Sequence, residues 1–214
     1  SAYDIPHNPF NFSGSAMAQV SSASAGPLIV EPSRLIDEGR VGALQITVVV
    51  LCGLIAALEG FDAQAIGYVA PSLSAAWHLH PGDLGPAISA GLLALMAGAL
   101  LIAPLADRIG RRPILIASTA LFGMGTLLTA YSWNLASLTL VRVLTGLGIG
   151  GAMPNALALT SEYMPQKRRG FLIVMMFNGF NIGSMAGGIL SAVLVRSHGW
   201  QSVFWYGGLL PIVL

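Results

Sequence analysis

The chain has 214 residues, 55% of them hydrophobic and only 9% charged, with a net charge of +1. A soluble domain carries roughly 25% charged residues, so this composition excludes an ordinary water-soluble domain, and so balanced a charge gives no reason to expect a nucleic-acid partner. A single cysteine, Cys52, excludes an intramolecular disulfide, and His7, His78, His80 and His198 show no ligand-like spacing, so no metal or cofactor is expected.

Residues 1–40 read as a flexible cytoplasmic tail, polar and rich in Ser, Ala and Pro, without the basic, apolar and small-residue order of a cleaved signal. Residues 1–16 read as an expression remnant ahead of a natural start at Met17. The triplet Asn11, Phe12, Ser13 matches a glycosylation acceptor, a pattern too short to carry weight.

Residues 41–214 read as a transmembrane bundle. The first span covers about 41–69, longer than the ~20 residues a bilayer core needs, with Pro71 marking its outer end and residues 72–82 forming a loop. The second covers about 84–106, with Asp83 as the expected cap of its first turn and Pro86 tolerated there. A charged turn, Asp107 to Pro113, leads to a third span over about 114–131, whose exit carries the interface aromatics Tyr131 and Trp133. The fourth covers about 135–163, residues 165–170 form a second basic turn, and the fifth covers about 171–195. A sixth begins near Gln201 and is still apolar at Leu214, so the chain reads as a fragment whose sixth helix is truncated.

Lys and Arg fix the expected orientation. Arg34 and Arg40 precede the first span, Arg108, Arg111 and Arg112 follow the second, and Lys167, Arg168 and Arg169 follow the fourth; only Arg196 falls on the other side. The positive-inside rule then puts the N-terminus in the cytoplasm.

Glu59 and Asp62 stand three apart in the first span, so both carboxylates face roughly the same way, ~15 and ~10 Å below an outer end near Val69. An ionised carboxylate at that depth costs several kcal/mol unless it meets water, a cation or protein donors. Arg142, the one basic residue inside a full span, counts to the same ~10 Å depth as Asp62, so an ion pair or an adjoining anion site fits the geometry. Asn178 and Asn181, three apart in the fifth span, need partners in a dry interior and suit either interhelical hydrogen bonds or a pore-lining position. Gly179, Gly183 and Gly187 form a four-residue stripe for close helix packing. Gly148, Gly150 and Gly151 lie in a membrane helix and not in a nucleotide-binding loop.

Two stretches resemble the N-terminal half of the major facilitator superfamily, and its aromatic acid:proton symporters in particular. The first is Ala106 to Pro113, with Ala103 where the family pattern has a glycine. The second is Glu59, Gly60, Phe61, Asp62, where the symporters commonly show Asp-Gly-Phe-Asp, followed by Ala65, Gly67, Ala70 and Pro71. Arg142 with Gly146, Gly150 and Gly151 is similar to the superfamily's fourth-helix motif, associated with proton coupling. The resemblance covers residues 40–214.

The resemblance implies an all-α integral membrane protein, the six-helix half of a twelve-helix transporter, itself two three-helix repeats in inverted relation. The implied protein is not an enzyme. It is a secondary active transporter of the bacterial inner membrane that carries an aromatic or related organic acid with protons and needs the missing C-terminal six-helix half. A sugar, sugar-acid or drug permease is the alternative, and a membrane enzyme or assembly subunit a more distant one. Glu59, Asp62, Arg142, Asn178 and Asn181 are the expected substrate or proton path. By resemblance Asp107, Arg108, Arg111, Arg112 and Glu162 form a cytoplasmic gate, in which Arg111 pairs with Glu162.

Overall fold

The computed structural model describes residues 42–80 and 82–214; the expectations for the tail lie outside the described residues. The described residues contain helices only: α1 (Ala43–Trp77), α2 (Gly85–Leu101), a 3-10 turn (Ala103–Leu105), a short α3 (Ala106–Ile109), α4 (Arg111–Thr129), α5 (Leu135–Tyr163), α6 (Gln166–His198) and α7 (Gln201–Val213). Five stretches, Ala43–Trp77, Gly85–Ile109, Arg111–Thr129, Leu135–Tyr163 and Gln166–His198, are long and apolar enough to cross a membrane, and α7 is a sixth apolar helix of 13 residues packed among them.

The fourth span begins and ends as the sequence indicates, because Asn134 caps it: its Oδ1 accepts from the Ser137 amide at 2.7 Å, and the Ser137 hydroxyl accepts from the Asn134 amide at 3.2 Å. Other boundaries move. Pro71 does not end the first span, and the expected loop over 72–82 is helical as far as Trp77. A proline removes one backbone donor, and a membrane helix packed on neighbours tolerates that loss. The helix stops at His78, in a left-handed conformation at φ 52, whose amide bonds back to the Ser74 carbonyl.

Asp83 does not cap α2. Its carboxylate accepts from the His80 amide at 2.8 Å, which spends it on the turn before the helix, and Leu84 enters α2 with helical angles and no side-chain cap. At the opposite end of this span Gly110, at φ 105, separates α3 from α4, a backbone setting that disfavours any residue with a β-carbon. The second basic turn is shorter than expected, since α6 already begins at Gln166.

The most extensive interfaces are α1 on α6 and α2 on α5, so the first span of each three-span set packs on the second span of the other. Both are parallel pairs in backbone contact. On α6, a methyl at Gly179 would overlap the carbonyl of Gly53, and one at Gly183 that of Ala57; from α1, Gly60 meets the Phe180 carbonyl in return. On α5, Gly146 and Gly150 meet the carbonyls of Gly91 and Leu95, and Gly98 of α2 meets that of Leu147. Small residues allow this approach, which in a bilayer supplies the van der Waals contact that hydrophobic burial cannot. Between these pairs α4 packs on α5 and α7.

Two apolar clusters divide the interior. One joins Phe61, Val69 and Leu73 of α1 to Leu138 of α5 and Val203 and Phe204 of α7. The other joins Cys52 and Ile55 of α1 to Leu115, Ala152 and Met176. Along α1, Glu59 and Asp62 fall where one cluster gives way to the other.

A buried ion pair beside an apolar cavity: the candidate functional site

Arg142 and Asp62 meet as the depth count indicates. Arg142 Nη1 donates to Asp62 Oδ2 at 3.1 Å, and Nη2 lies 3.4 Å from Oδ1, so the guanidinium faces the carboxylate with both terminal nitrogens. Neither residue is more than 6% exposed. A pair so deprived of water holds only if the remaining donors and acceptors are also met.

Threonines meet all but one of them. Thr126 Oγ1 of α4 donates to Asp62 Oδ1 at 2.6 Å. Thr129 Oγ1 donates to the Gly125 carbonyl at 3.0 Å, and Thr145 Oγ1 to the Val141 carbonyl at 2.9 Å. With their protons committed to the backbone, these two hydroxyls offer lone pairs to Arg142 Nη2, at 2.8 and 3.5 Å. The ring of Phe204, from α7, covers the guanidinium face at 5.6 Å from Cζ. Arg142 Nε, also buried, has no partner.

Glu59 has a different setting. It is 2% exposed, its Oε1 has no hydrogen-bond partner, and no ion pair reaches it among the described residues. The two carboxyls therefore share a helix face about one turn apart, but among the described residues only Asp62 has a counter-ion.

A cavity of about 230 Å³ opens beside the pair, between α1, α2 and α5. Asp62, Arg142 and Thr145 form its polar end, Gln64 lies at its margin, and Ile66, Ile88, Leu92, Leu95 and Ile149 form apolar walls. A second cavity of about 520 Å³, lined by Ile55, Thr119, Arg112 and Pro211, lies apart from the pair. Among the described residues no group of His, Cys, Asp and Glu is placed to hold a metal ion.

Asn178 and Asn181 are not brought to this site. Both are exposed on α6, and Asn178 Nδ2 donates to the Val174 carbonyl of its own helix at 3.1 Å. At the far end of the bundle Arg111 Nε donates to Glu162 Oε1, and Arg111 Nη2 lies 3.6 Å from Asp107 Oδ1. Arg108 and Arg112 flank this cluster and are exposed.

The family model of the Major Facilitator Superfamily matches residues 52–214. The chain belongs to the Major Facilitator Superfamily. It is 48% identical over 167 residues to the 4-hydroxybenzoate transporter PcaK of Pseudomonas aeruginosa, covering 78% of this chain and 37% of that protein. It is 44% identical over 179 residues to the gallate transporter of Pseudomonas putida (84% and 40%), and 43% identical over 164 residues to the 3-(3-hydroxy-phenyl)propionate transporter of Escherichia coli K12 (77% and 40%). The chain thus spans about two fifths of the length of these superfamily relatives. It is a multi-pass membrane protein of a bacterial transporter family, with the six-helix arrangement of an N-terminal superfamily half.

Thr126, Thr129, Thr145 and Phe204 complete the superfamily chain's polar site, and sequence reasoning missed them. Thr126 and Thr129 repeat the three-residue spacing of Glu59 and Asp62, a signal that could have found them. Nothing local marks Phe204 among the aromatic residues of its segment.

Proposed function

We propose that this chain is the N-terminal half of a bacterial inner-membrane transporter that moves an aromatic monocarboxylate together with a proton. The observation that carries the reading is a cavity with a guanidinium and a carboxylate at one end and aliphatic walls elsewhere. A benzoate-like ligand has the matching division, one anionic end and one flat apolar body. The relatives named for 4-hydroxybenzoate, gallate and hydroxyphenylpropionate share that chemistry, a carboxylate on or near a ring. Aliphatic walls offer a sugar few hydrogen bonds, which favours the aromatic acid over a polyol.

In this reading Arg142 binds the substrate carboxylate, in competition with Asp62, and its unpartnered Nε supplies a further donor. Protonation within the acidic pair Glu59 and Asp62 reduces the negative charge that an incoming anion must face, so proton and substrate favour each other's binding. Arg111, Glu162 and Asp107 close the cytoplasmic end until transport parts them. The N-terminus lies in the cytoplasm, and the second half of the transporter completes the pathway.

The test is uptake of radiolabelled 4-hydroxybenzoate or benzoate by the full-length transporter in proteoliposomes under an imposed pH gradient. The wild-type protein should accumulate the acid, and Arg142→Gln should abolish both accumulation and exchange. Uptake of sugars with no response to any aromatic acid would overturn the assignment.

A further inference from the structure

The two buried carboxyls of α1 are not equivalent, and the difference bears on which of them carries the proton. Every oxygen of Asp62 is engaged: Oδ2 accepts from Arg142 Nη1, and Oδ1 from Thr126 Oγ1. Its negative charge is matched one for one by the guanidinium. Glu59, a turn away, is 2% exposed with Oε1 unpartnered. Burying a charge is costly where no counter-ion or donor meets it; Asp62 has both a two-nitrogen ion pair and a hydroxyl donor, and Glu59 has no counter-ion among the described residues.

The surroundings offer Glu59 no other counter-charge. On its own helix the nearest titratable groups are Asp62, a like charge, and Cys52, two turns nearer the cytoplasmic end. Of the helices packed around α1, α5 supplies Arg142, already paired, and Glu162 at its end. The remaining charged groups are Arg111 and Arg112 of α4 and Lys167, Arg168, Arg169, Arg196 and His198 of α6, all in terminal turns; α7 has none.

We propose that Glu59 is the seat of the transported proton, and that Asp62 serves as the counter-ion of Arg142. The proposal rests on the transport reading and assigns roles within it. With Glu59 ionised, the site holds two negative charges against one positive. Adding one proton to Glu59 and one monoanion beside Arg142 leaves that sum unchanged, so the loaded site has the net charge of the empty one. Transport is then an electroneutral passage of one proton and one carboxylate in the same direction. The proton binds the Glu59 carboxylate on the outer-facing side of the cycle and leaves it to water on the inner-facing side.

Three measurements on the full-length transporter in proteoliposomes test this. Glu59→Gln, locked in the neutral form, should retain substrate exchange between equal pools on the two sides, lose the pH dependence of that exchange, and lose accumulation driven by a pH gradient. Glu59→Asp should retain accumulation. In the wild-type protein an apolar carbodiimide, which attacks protonated carboxyls in dry surroundings, should modify Glu59 and leave Asp62 untouched, as read by peptide mass spectrometry. Proton-driven accumulation by Glu59→Gln would overturn the proposal, and so would any modification pattern that includes Asp62 or omits Glu59. The labelling distinguishes the two carboxyls even if Glu59→Gln fails to reach the membrane. Failure of the wild-type protein to take up any aromatic acid would instead sink the transport reading, and the labelling result would stand apart from it.

Discussion

The ring of Phe204 lies over the guanidinium of Arg142, with 5.6 Å between the ring centroid and Cζ, while Asp62 and Thr129 occupy the guanidinium edge. Face and edge are thus held by three different helices, α7, α1 and α4. A cation over an aromatic face gains about 0.5–2 kcal/mol, more as water is excluded.

Phe204→Leu keeps an apolar side chain in the cluster but removes the π face. In the full-length transporter it should raise the KM for the aromatic acid several-fold while the membrane level stays near wild type. An unchanged KM would mean that Phe204 only fills space.

The glycine interface predicts a sharp contrast within one helix pair. A methyl at Gly183 has no room, because the Ala57 carbonyl already occupies the position, whereas nothing lies within 4 Å of the corresponding point at Gly67. Overpacking of this kind costs about 1–3 kcal/mol or more. Gly183→Ala should therefore lower the thermal unfolding midpoint in detergent, and Gly67→Ala should hold or raise it. Equal effects of the two substitutions would contradict the backbone contact.

The charged cluster at the Arg111–Glu162 end of the bundle predicts a change in state population. Arg111 bonds to Glu162 across α4 and α5 and faces Asp107 from the preceding turn. The groups are partly exposed, so each pair contributes only about 0–1 kcal/mol, enough to bias two conformations without deciding the fold. Removing either Arg111 or Glu162 should increase labelling, from that end of the bundle, of cysteines introduced around the cavity beside Asp62 and Arg142, and a charge swap should partly reverse it. Unchanged labelling in both single variants would remove the gate.

Orientation is checked in intact cells. With cysteines placed singly at 80 or 83, between α1 and α2, an impermeant maleimide should label the protein from outside. Cysteines at 108 or 112 should stay protected until the membrane is opened. The reverse pattern would invert the topology.

Much of this architecture is written in composition and charge. Five apolar runs separated by short charged or polar turns define the spans, and the depth count along α1 and α5 brings Asp62 to Arg142 although 80 residues separate them. That count succeeds even though α1 extends to Trp77, because α5 begins where its cap says it does and the helices run antiparallel. Boundaries at Pro71 and Asp83 were not legible, since a proline signal is weak inside a membrane helix and an aspartate can close the turn before a helix as readily as cap it. The difference between Glu59 and Asp62 was also hidden, because it depends on which neighbour reaches which oxygen. Three-residue spacing puts both on one face and says nothing of partners.

The close-packed pairs have a mechanical consequence. Because α1 is seated on α6 and α5 on α2 at backbone contact, each pair behaves as a stiff beam, and Asp62 and Arg142 stand on different beams. Their ion pair is a strut between the two. A helix of the length of α6, at 33 residues, spans about 50 Å. A tilt of about 5° at mid-length therefore displaces its ends by roughly 2 Å. Withdrawal of Arg142 toward a substrate carboxylate would be felt at the tip of the same beam, where Glu162 meets Arg111. Distance measurements between labels at the N-terminal end of α1 and the C-terminal end of α5, with and without substrate, should register that leverage, and a separation indifferent to substrate would show the beams to be uncoupled.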